Sequence, residues 1–135
     1  NAGADNITFH LEVHPDPRAQ ARRLRDMDIK AGISINPDMS VEKVLPYLEH
    51  FDYLLIMSVF PGFGGQAFIP SALDKVSAAR RFIEHHRLTT KIEVDGGVDT
   101  TNAGKLASAG ADILVMGTAF FKSPNRQSLV STIQI

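Results

Sequence analysis

The 135-residue chain contains no cysteine and no tryptophan, and aromatic residues make up only 7% of it. Without cysteine, disulfide scaffolds and thiolate metal sites are excluded, and a reducing compartment such as the cytoplasm is permitted. The formal net charge is −1, so no basic excess favours nucleic acid or an anionic membrane surface. No apolar run approaches the roughly 20 residues of a membrane span. We therefore expect a cytoplasmic protein that binds neither nucleic acid nor a membrane.

The segments that are present alternate between short apolar runs and stretches of helical periodicity. The apolar content of 44% and the charged content of 21% are typical of a globular domain. Ser40 is placed to cap a short helix that carries Val41, Val44 and Leu48. Strands that alternate with helices predict βα units and a parallel sheet. The predicted strands are 7–13, 30–35, 53–59, 92–95 and 113–116, and helices are predicted at about 15–28, from 71, at 101–109 and from 125.

The strands differ in polarity between their two faces. In the first strand Thr8, His10 and Glu12 share one face, and Phe9 and Leu11 share the other, because side chains alternate. The strand ending at residue 95 repeats this pattern. A doubly wound sheet has helices on both faces and needs apolar residues on both. One apolar face and one polar face instead predict an α/β fold of the TIM (β/α)8 barrel type.

Glycine-rich turns follow three of the predicted strands. Turns of this kind expose backbone N–H groups, and an anion is the ligand that suits such groups best. Pro61 stiffens the first turn, and the Phe63 ring is expected to anchor it. Phosphate sites in these barrels commonly lie after the last two strands. The predicted phosphate-binding residues are Gly62, Phe63, Gly64, Gly65, Gly96, Gly97, Gly117 and Thr118.

An internal repeat indicates which part of a barrel the chain represents. Residues 108–112 read Ser-Ala-Gly-Ala-Asp before the last strand, and residues 1–5 read Asn-Ala-Gly-Ala-Asp before the first. Gly110 is the predicted C-terminal cap of its helix, and by analogy Asn1 is the tail of another. A complete barrel needs eight strands and about 250 residues. We interpret residues 1–135 as the C-terminal part of a single barrel domain, about strands 4–8.

Four segments resemble one known family. They are Met-Ser-Val-Phe-Pro-Gly-Phe-Gly-Gly-Gln at 57–66, Glu-Val-Asp-Gly-Gly-Val at 93–98, Thr-Phe-His-Leu-Glu at 8–12 and Gly-Thr-Ala at 117–119. In content, order and spacing they are similar to the ribulose-phosphate 3-epimerase family, so the resemblance runs along the whole chain. Two positions depart from the family pattern: Phe60 replaces a polar or acidic residue, and Asn36 replaces a common lysine.

The resemblance implies an isomerase of the pentose phosphate pathway and the Calvin cycle that interconverts D-ribulose 5-phosphate and D-xylulose 5-phosphate. It also implies a divalent metal (zinc, iron, manganese or cobalt) held by two histidines and two aspartates. The two aspartates also act as the acid and the base. Of those four residues, Asp95 is the one present here, as both metal ligand and catalytic group. Met57 is expected to line the pocket beside the reacting carbons. The complete protein is expected to be a homo-oligomer, and this chain alone to be inactive.

These residue types fit the chemistry of epimerisation beside a ketone. The reaction removes a proton from one face of a carbon and returns one to the other face through an enediolate, whose negative charge must be stabilised. A divalent metal can do this as a Lewis acid. A carboxylate with a suitable pKa can carry the proton. The alternation of strand residues places Asp95 on the inner face, at the strand end where barrel enzymes hold catalytic groups.

Other interpretations remain open from the sequence. Taken alone, Asp95-Gly96-Gly97 is more often a tight turn than a catalytic site, and Met57 is more often a core residue. An allulose-6-phosphate 3-epimerase or another phosphate-binding barrel enzyme, such as a lyase, fits the same segments. An alternative of a different class is a non-catalytic half-barrel that binds a phosphosugar and needs a partner chain.

The five histidines are predicted to have structural or solvated roles. His85 and His86 end a helix and are expected to be solvated, and His14 and His50 are expected at the surface. His10 lies on the polar inner face, where a hydrogen-bonded interior histidine is favoured over a metal ligand. A basic run is predicted to form a solvated helix face and comprises Arg18, Arg22, Arg23 and Arg25.

Overall fold

The computed structural model of the chain describes residues 2–133, which form one parallel sheet with helices packed on one of its faces. The strands follow one another across the sheet in sequence order, and every neighbouring pair is parallel. The strands are β1 (Asn6–His10), β2 (Lys30–Ile35), β3 (Tyr53–Met57), β4 (Lys91–Asp95) and β5 (Ile113–Val115). The helices are α1 (Pro17–Asp26), α2 (Ala72–His85), α3 (Ala103–Ala109), α4 (Thr118–Phe121) and α5 (Arg126–Ile133). This sequential parallel order confirms the predicted barrel-type architecture.

The apolar core lies between the sheet and its helices. Ile33, Leu54, Ile56, Ile92 and Val94 point to this side and are 0% exposed. They join apolar residues of the helices in one cluster of buried side chains. Burial of this kind contributes about 25 cal/mol for each Å² of apolar surface, and it fixes the direction of the alternating side chains.

The opposite face of the sheet is more polar, as predicted. His10, Ser34, Leu55 and Glu93 are aligned in register across β1 to β4 on this face. The Nδ1 atom of His10 lies 2.9 Å from the Ser34 hydroxyl, which confirms the expectation of a hydrogen-bonded histidine. The face that carries Glu93 and Asp95 therefore corresponds to the interior of a barrel wall.

Several predicted element boundaries were wrong. The first strand ends at His10 rather than residue 13, because the chain turns into a short 3-10 segment at Leu11–Val13. The third strand ends at Met57 and the last at Val115, each short of its prediction. The first helix begins at Pro17, where Asp16 accepts a hydrogen bond from the Ala19 N–H at 3.0 Å and acts as its cap.

The helix predicted after Ser40 is also wrong. Two 3-10 segments, Val41–Lys43 and Leu45–His50, occupy this region. Pro46 lacks the N–H that a continuous α-helix would need at that position, so the chain tightens and breaks. The Ser40 hydroxyl does not cap the backbone and instead donates to the Glu42 carboxylate.

The remaining histidines differ from one another in exposure. His85 and His86 are exposed at the end of α2, as predicted, although the His86 ring stacks on Phe82 at 4.0 Å. His14 and His50 are half-buried at the surface, and the His14 ring packs near Phe9 with the ring centroids 5.9 Å apart. The four arginines at 18, 22, 23 and 25 are exposed as predicted, and Arg18 also covers the Tyr47 ring at 4.9 Å.

The predicted role of Gly110 is confirmed. It caps α3 in the left-handed conformation with φ +113°, and its N–H donates to the Ala107 carbonyl at 3.0 Å. A Cβ atom at this position would lie 2.6 Å from the Cγ atom of Arg80. The corresponding expectation for Asn1 lies outside the described residues. Within residues 2–133, no helix has the length and apolar character that a membrane span would need.

Two aspartates set the register at the amino-terminal end of the sheet. Asp52 accepts a hydrogen bond from the Ala31 N–H at 2.9 Å, and Asp112 accepts one from the Ile92 N–H at 2.8 Å. The backbone N–H of Asp52 also donates to the Ala31 carbonyl, and that of Asp112 donates to the Ile92 carbonyl, at 2.8 Å in both cases. Each aspartate therefore forms two hydrogen bonds to the preceding strand, one through its side chain and one through its backbone. Arg80 adds an ion pair to Asp112 at 2.5 Å.

The charge of Asp112 gives a testable pH dependence of stability. Burial acts to raise its pKa, but hydrogen bonds from Ile92 and Arg80, with the charges of Arg80 and Lys91, lower the pKa below the ordinary 3.8. A folded-state pKa below the unfolded value means that this stabilisation is present above about pH 4 and is lost as pH falls through the folded pKa. We expect Asp112→Asn to lower the free energy of unfolding by about 1–2 kcal/mol at pH 7.

Chemical denaturation of both proteins between pH 7 and pH 3 measures this effect. The difference between wild type and Asp112→Asn should shrink toward the acid end, because the stabilisation by the charge is lost as pH falls from the unfolded-state pKa through the lower folded-state pKa. Asp74→Asn, a change at an exposed carboxylate on α2, serves as a matched control. An equal loss of stability at pH 7 and pH 3 would contradict the role of the charge.

Candidate phosphate and acid–base site

A cavity of about 1070 Å³ lies at the carboxyl ends of β3, β4 and β5. Its location follows from the sheet, because parallel strands bring the loops that follow them to the same edge. All of the residues predicted from the sequence to form the site border this cavity. They are Met57, Gly62, Phe63, Gly64, Gly65, Asp95, Gly96, Gly97, Gly117 and Thr118.

The loop after β3 is held by its own backbone and by one amide side chain. Gly62 and Gly65 adopt φ values of +147° and +76°, which favour glycine. The Nε2 atom of Gln66 donates to the Phe60 carbonyl at 2.7 Å and to the Phe63 carbonyl at 2.9 Å. The expectation that the Phe63 ring anchors the loop was wrong, because this ring is 76% exposed. Gln66, which the sequence did not reveal in this role, closes the loop instead.

The loop after β4 packs directly against the loop after β3. Gly96 has φ +124°, and a Cβ atom there would lie 2.5 Å from the Val59 Cγ2 atom. Gly97 has φ +63°, and a Cβ atom there would lie 2.5 Å from the backbone nitrogen of Phe68. These two glycines are therefore required by the approach of the two loops to each other, in addition to any approach of a ligand.

The far side of the same loop is fixed by Asn102. Its Nδ2 atom donates to the Gly97 carbonyl at 2.9 Å, and its Oδ1 atom accepts from the Asp99 N–H at 3.0 Å. Asn102 is largely buried. The Gly96-Gly97 segment is thus held between the loop after β3 and the start of α3.

The third glycine segment opens the short helix α4. Gly117 precedes the helix and Thr118 is its first residue, and both are exposed. The first N–H groups of a helix have no partner within the helix, so they are available to an anion. A Cβ atom at Gly117 would have no protein atom within 4 Å, which leaves the cavity open on this side.

Asp95 ends β4 at the cavity and is half-buried. In the sheet register it lies beside Met57 of β3 and Val115 of β5, and Met57 is 8% exposed. Burial raises the pKa of the Asp95 carboxyl. Burial raises the pKa of Glu93 on the same strand as well, and the charge of Asp95 adds to this shift. A carboxyl that is less acidic than usual is suited to exchange protons with a substrate.

The acidic and imidazole side chains do not supply a complete metal site within this part of the protein. Among residues 2–133, no three His, Cys, Asp or Glu side chains come close enough together to hold a metal ion. Asp95 offers one carboxylate at the cavity, and one carboxylate is not sufficient for the divalent metals concerned. A metal site therefore does not fit these residues alone.

Lys105 is a cavity residue that sequence reasoning missed. It lies in the first turn of α3 and is the only basic residue among the described residues that border the cavity. A positive charge in the first turn of a helix opposes the helix dipole, and this unfavourable placement is the signal that could have identified it. Of the two departures from the family pattern, Phe60 borders the cavity and is 50% exposed, whereas Asn36 does not border it.

Comparison with solved structures places this fold in a class. A mutant tryptophan synthase alpha-subunit from Pyrococcus furiosus superposes with a TM-score of 0.67 at 19% identity, covering 97% of this chain and 52% of that one. At that identity the likeness shows the fold alone. The chain thus has a fold of the TIM-barrel type, in agreement with the sheet order.

Sequence comparison identifies the family. Residues 1–121 match the model of the ribulose-phosphate 3 epimerase family. Ribulose-phosphate 3-epimerase of Mycobacterium tuberculosis H37Rv is 43% identical over 98% of this chain and 58% of its own length. The enzyme of Escherichia coli K12 is 38% identical over 98% of this chain and 59% of its own length. The chain belongs to the ribulose-phosphate 3-epimerase family, and it spans less than two thirds of these relatives.

The contact between the two glycine loops can be tested by substitution. We expect Gly97→Ala to lower the free energy of unfolding by about 2–4 kcal/mol, because it combines strain at positive φ with a collision against Phe68. Gly64→Ala is the matched control, since a Cβ atom there has no protein atom within 4 Å and its φ is not positive. Thermal or chemical unfolding of both variants measures the difference. Equal stability of the two variants would contradict the packing described.

Proposed function

We propose that this chain belongs to a ribulose-phosphate 3-epimerase that interconverts D-ribulose 5-phosphate and D-xylulose 5-phosphate, and that it supplies the later strands of the barrel. The observation that carries the proposal is that three glycine segments and the Asp95 carboxyl border one cavity. Membership of the family supports the same reaction.

The glycine segments suit the phosphate end of the substrate. Backbone N–H groups at Gly62–Gly65, Gly96-Gly97 and Gly117-Thr118 offer donors from three consecutive loops. They hold an anion without taking part in proton transfer. Fixing this end determines which carbon of the sugar lies beside the end of β4, and such positioning lowers the barrier to the reaction.

Asp95 is the group of this chain that is suited to the proton transfer. It is half-buried at the strand end, and burial raises its pKa toward the range in which a carboxyl both accepts and returns a proton. Met57 lies beside it and presents an apolar wall that limits access of water to the reacting carbons. In this proposal Asp95 moves the proton at C3 on one face of the substrate.

The metal implied by the family resemblance would need ligands beyond those described here. Zinc, iron, manganese or cobalt would stabilise the negative charge of the enediolate as a Lewis acid. Asp95 would be one ligand, and the other three ligands implied by the resemblance have no counterpart among residues 2–133. We therefore expect this chain alone to lack epimerase activity, since it provides one of the four residues concerned.

An activity assay tests this division of roles. Purified chain with ribulose 5-phosphate and zinc or iron should give turnover at the background level, whereas the complete protein should be active. Asp95→Asn in the complete protein should lower kcat at least 100-fold, because general acid–base catalysis contributes about that much. Allulose 6-phosphate, assayed in parallel, separates the two epimerase specificities. Near-native turnover by the isolated chain would contradict the proposal.

Phosphate binding can be tested on the chain itself through Lys105. Titration of inorganic phosphate should shift the amide resonances of Gly62–Gly65 and Gly97. We expect Lys105→Gln to weaken binding about two- to fivefold, because it removes a solvent-screened positive charge at the cavity. Lys122→Gln is the matched control, since Lys122 is exposed and does not border this cavity.

Two outcomes of the titration would count against the proposal. Unmoved glycine amides would contradict phosphate binding at the three segments. Equal weakening by the Lys105 and Lys122 variants would instead indicate a general charge effect rather than a contribution from the cavity.

A further inference from the structure

Ser58, directly after β3, connects the loops that follow β3 and β4. It is 0% exposed, and its single hydroxyl proton lies between two carbonyls, the nearer of Gly96 at 2.6 Å and the farther of Asp95 at 3.0 Å. Its backbone N–H also donates to the Asp95 carbonyl, at 2.8 Å. Its own carbonyl accepts from the Ile69 N–H at 2.8 Å, and this bond holds the end of the loop after β3 against Ser58. One buried residue thus contacts both sides of the loop pair.

The direction of these bonds determines where the neighbouring amides point. In a trans peptide, the carbonyl of one residue and the N–H of the next lie in one plane and point in opposite directions. Ser58 holds the carbonyls of Asp95 and Gly96. The N–H groups of Gly96 and Gly97 are therefore directed away from Ser58. Gly96 and Gly97 border the cavity, whereas Ser58 does not, so Ser58 lies behind them.

Other conformations are available to this segment without such a contact. Gly96 and Gly97 both have positive φ values, and glycine moves among backbone conformations more readily than any other residue. A buried carbonyl that loses its donor is costly to leave unpaired, so the segment would rearrange to find another partner. The Ser58 hydroxyl removes this freedom before any ligand arrives.

We propose that Ser58 is a positioning residue: its backbone N–H holds the Asp95 carbonyl at the end of β4, and its hydroxyl holds the Gly96 carbonyl, so that the Gly96 and Gly97 amides are directed toward a phosphate. This inference rests on the proposed phosphate site. Ser58 acts through the backbone of its neighbours and does not itself touch the ligand. Its contribution is to affinity and geometry rather than to a chemical step.

Thr90 provides a matched control for the loss of a buried hydroxyl. It is 2% exposed, and its single hydroxyl proton likewise lies between two carbonyls, those of Leu48 at 2.8 Å and Phe51 at 3.0 Å. It lies just before β4, at the end of the strand opposite the cavity. Deleting either hydroxyl removes the same kind of interaction, but only Ser58 adjoins the glycine segment.

The experiment compares Ser58→Ala, Ser58→Thr and Thr90→Val in the 135-residue chain. Thermal unfolding should show that Ser58→Ala and Thr90→Val are both less stable than wild type. Inorganic phosphate, titrated against the amide resonances, should bind about five- to tenfold more weakly to Ser58→Ala alone. Ser58→Thr, which retains a hydroxyl, should recover most of the affinity. Similar weakening in Ser58→Ala and Thr90→Val, or no weakening in Ser58→Ala, would overturn the proposal.

A measurement without ligand separates this inference from the proposed function. In the free chain, Ser58→Ala should shift the carbonyl ¹³C resonance of Gly96 and increase the mobility of the Gly96 and Gly97 amides, and Thr90→Val should do neither. If wild type binds no phosphate, the proposed phosphate site fails while this ligand-free comparison still decides the role of Ser58. Unchanged Gly96 and Gly97 signals in Ser58→Ala would overturn that role.

A further measurement needs no variant and covers the case in which Ser58→Ala does not fold. In wild type, the Ser58 hydroxyl proton should exchange slowly with water. It should also show a nuclear Overhauser effect in NMR spectra to the protons of Gly96. A hydroxyl proton in fast exchange with water would overturn the proposal.

Discussion

The site depends on how closely the backbone after β3 approaches the backbone after β4. An added Cβ atom would lie 2.7 Å from the backbone nitrogen of Val59 at Gly96, and 2.5 Å from the backbone nitrogen of Phe68 at Gly97. A collision of that size with backbone is not relieved by moving a side chain, because the neighbouring loop would have to shift as a whole. The two loops therefore form one unit, and this unit brings the first two glycine segments and the Asp95 carboxyl to the same cavity.

Hydrogen bonds at the amino-terminal end of the sheet, opposite the cavity, help to align the strands that carry these loops. Asp52 and Asp112 each grip the preceding strand through a side chain and through the backbone, which sets the register of β2 with β3 and of β4 with β5. When the register of parallel strands is fixed, the positions of their carboxyl ends relative to one another are fixed as well. The apolar layer behind Ile56 and Val94 holds the strands against the helices, so the polar face is left for the cavity.

Much of this arrangement could be predicted from local sequence patterns. Alternating polarity in the strands predicted the barrel-type sheet, and the glycines after three strands predicted which loops meet. The Gly110 cap followed from a single residue type. These features are local, because strand alternation and helix ends are determined by residues that are close in sequence.

The features that could not be predicted depend on residues that are far apart in sequence. Ser58 contacts Gly96 across 38 positions, and no local pattern reveals that a serine hydroxyl will reach a distant carbonyl. The exposure of Phe63 depends on the direction of its loop, whose shape is set by the Gln66 amide. The failure at Ser40 is different, because Pro46 was visible in the sequence and its missing N–H explains the broken helix.

A crystal structure of the chain soaked with inorganic phosphate would test the shared role of the three segments most directly. The phosphate oxygens should lie about 3 Å from backbone nitrogens of the 62–65 and 96–97 segments and of the start of α4, with the Asp95 carboxyl facing the same cavity. A phosphate bound elsewhere, for example in the crevice beside Lys122 and Ser128, with the three segments empty, would contradict this view of the site.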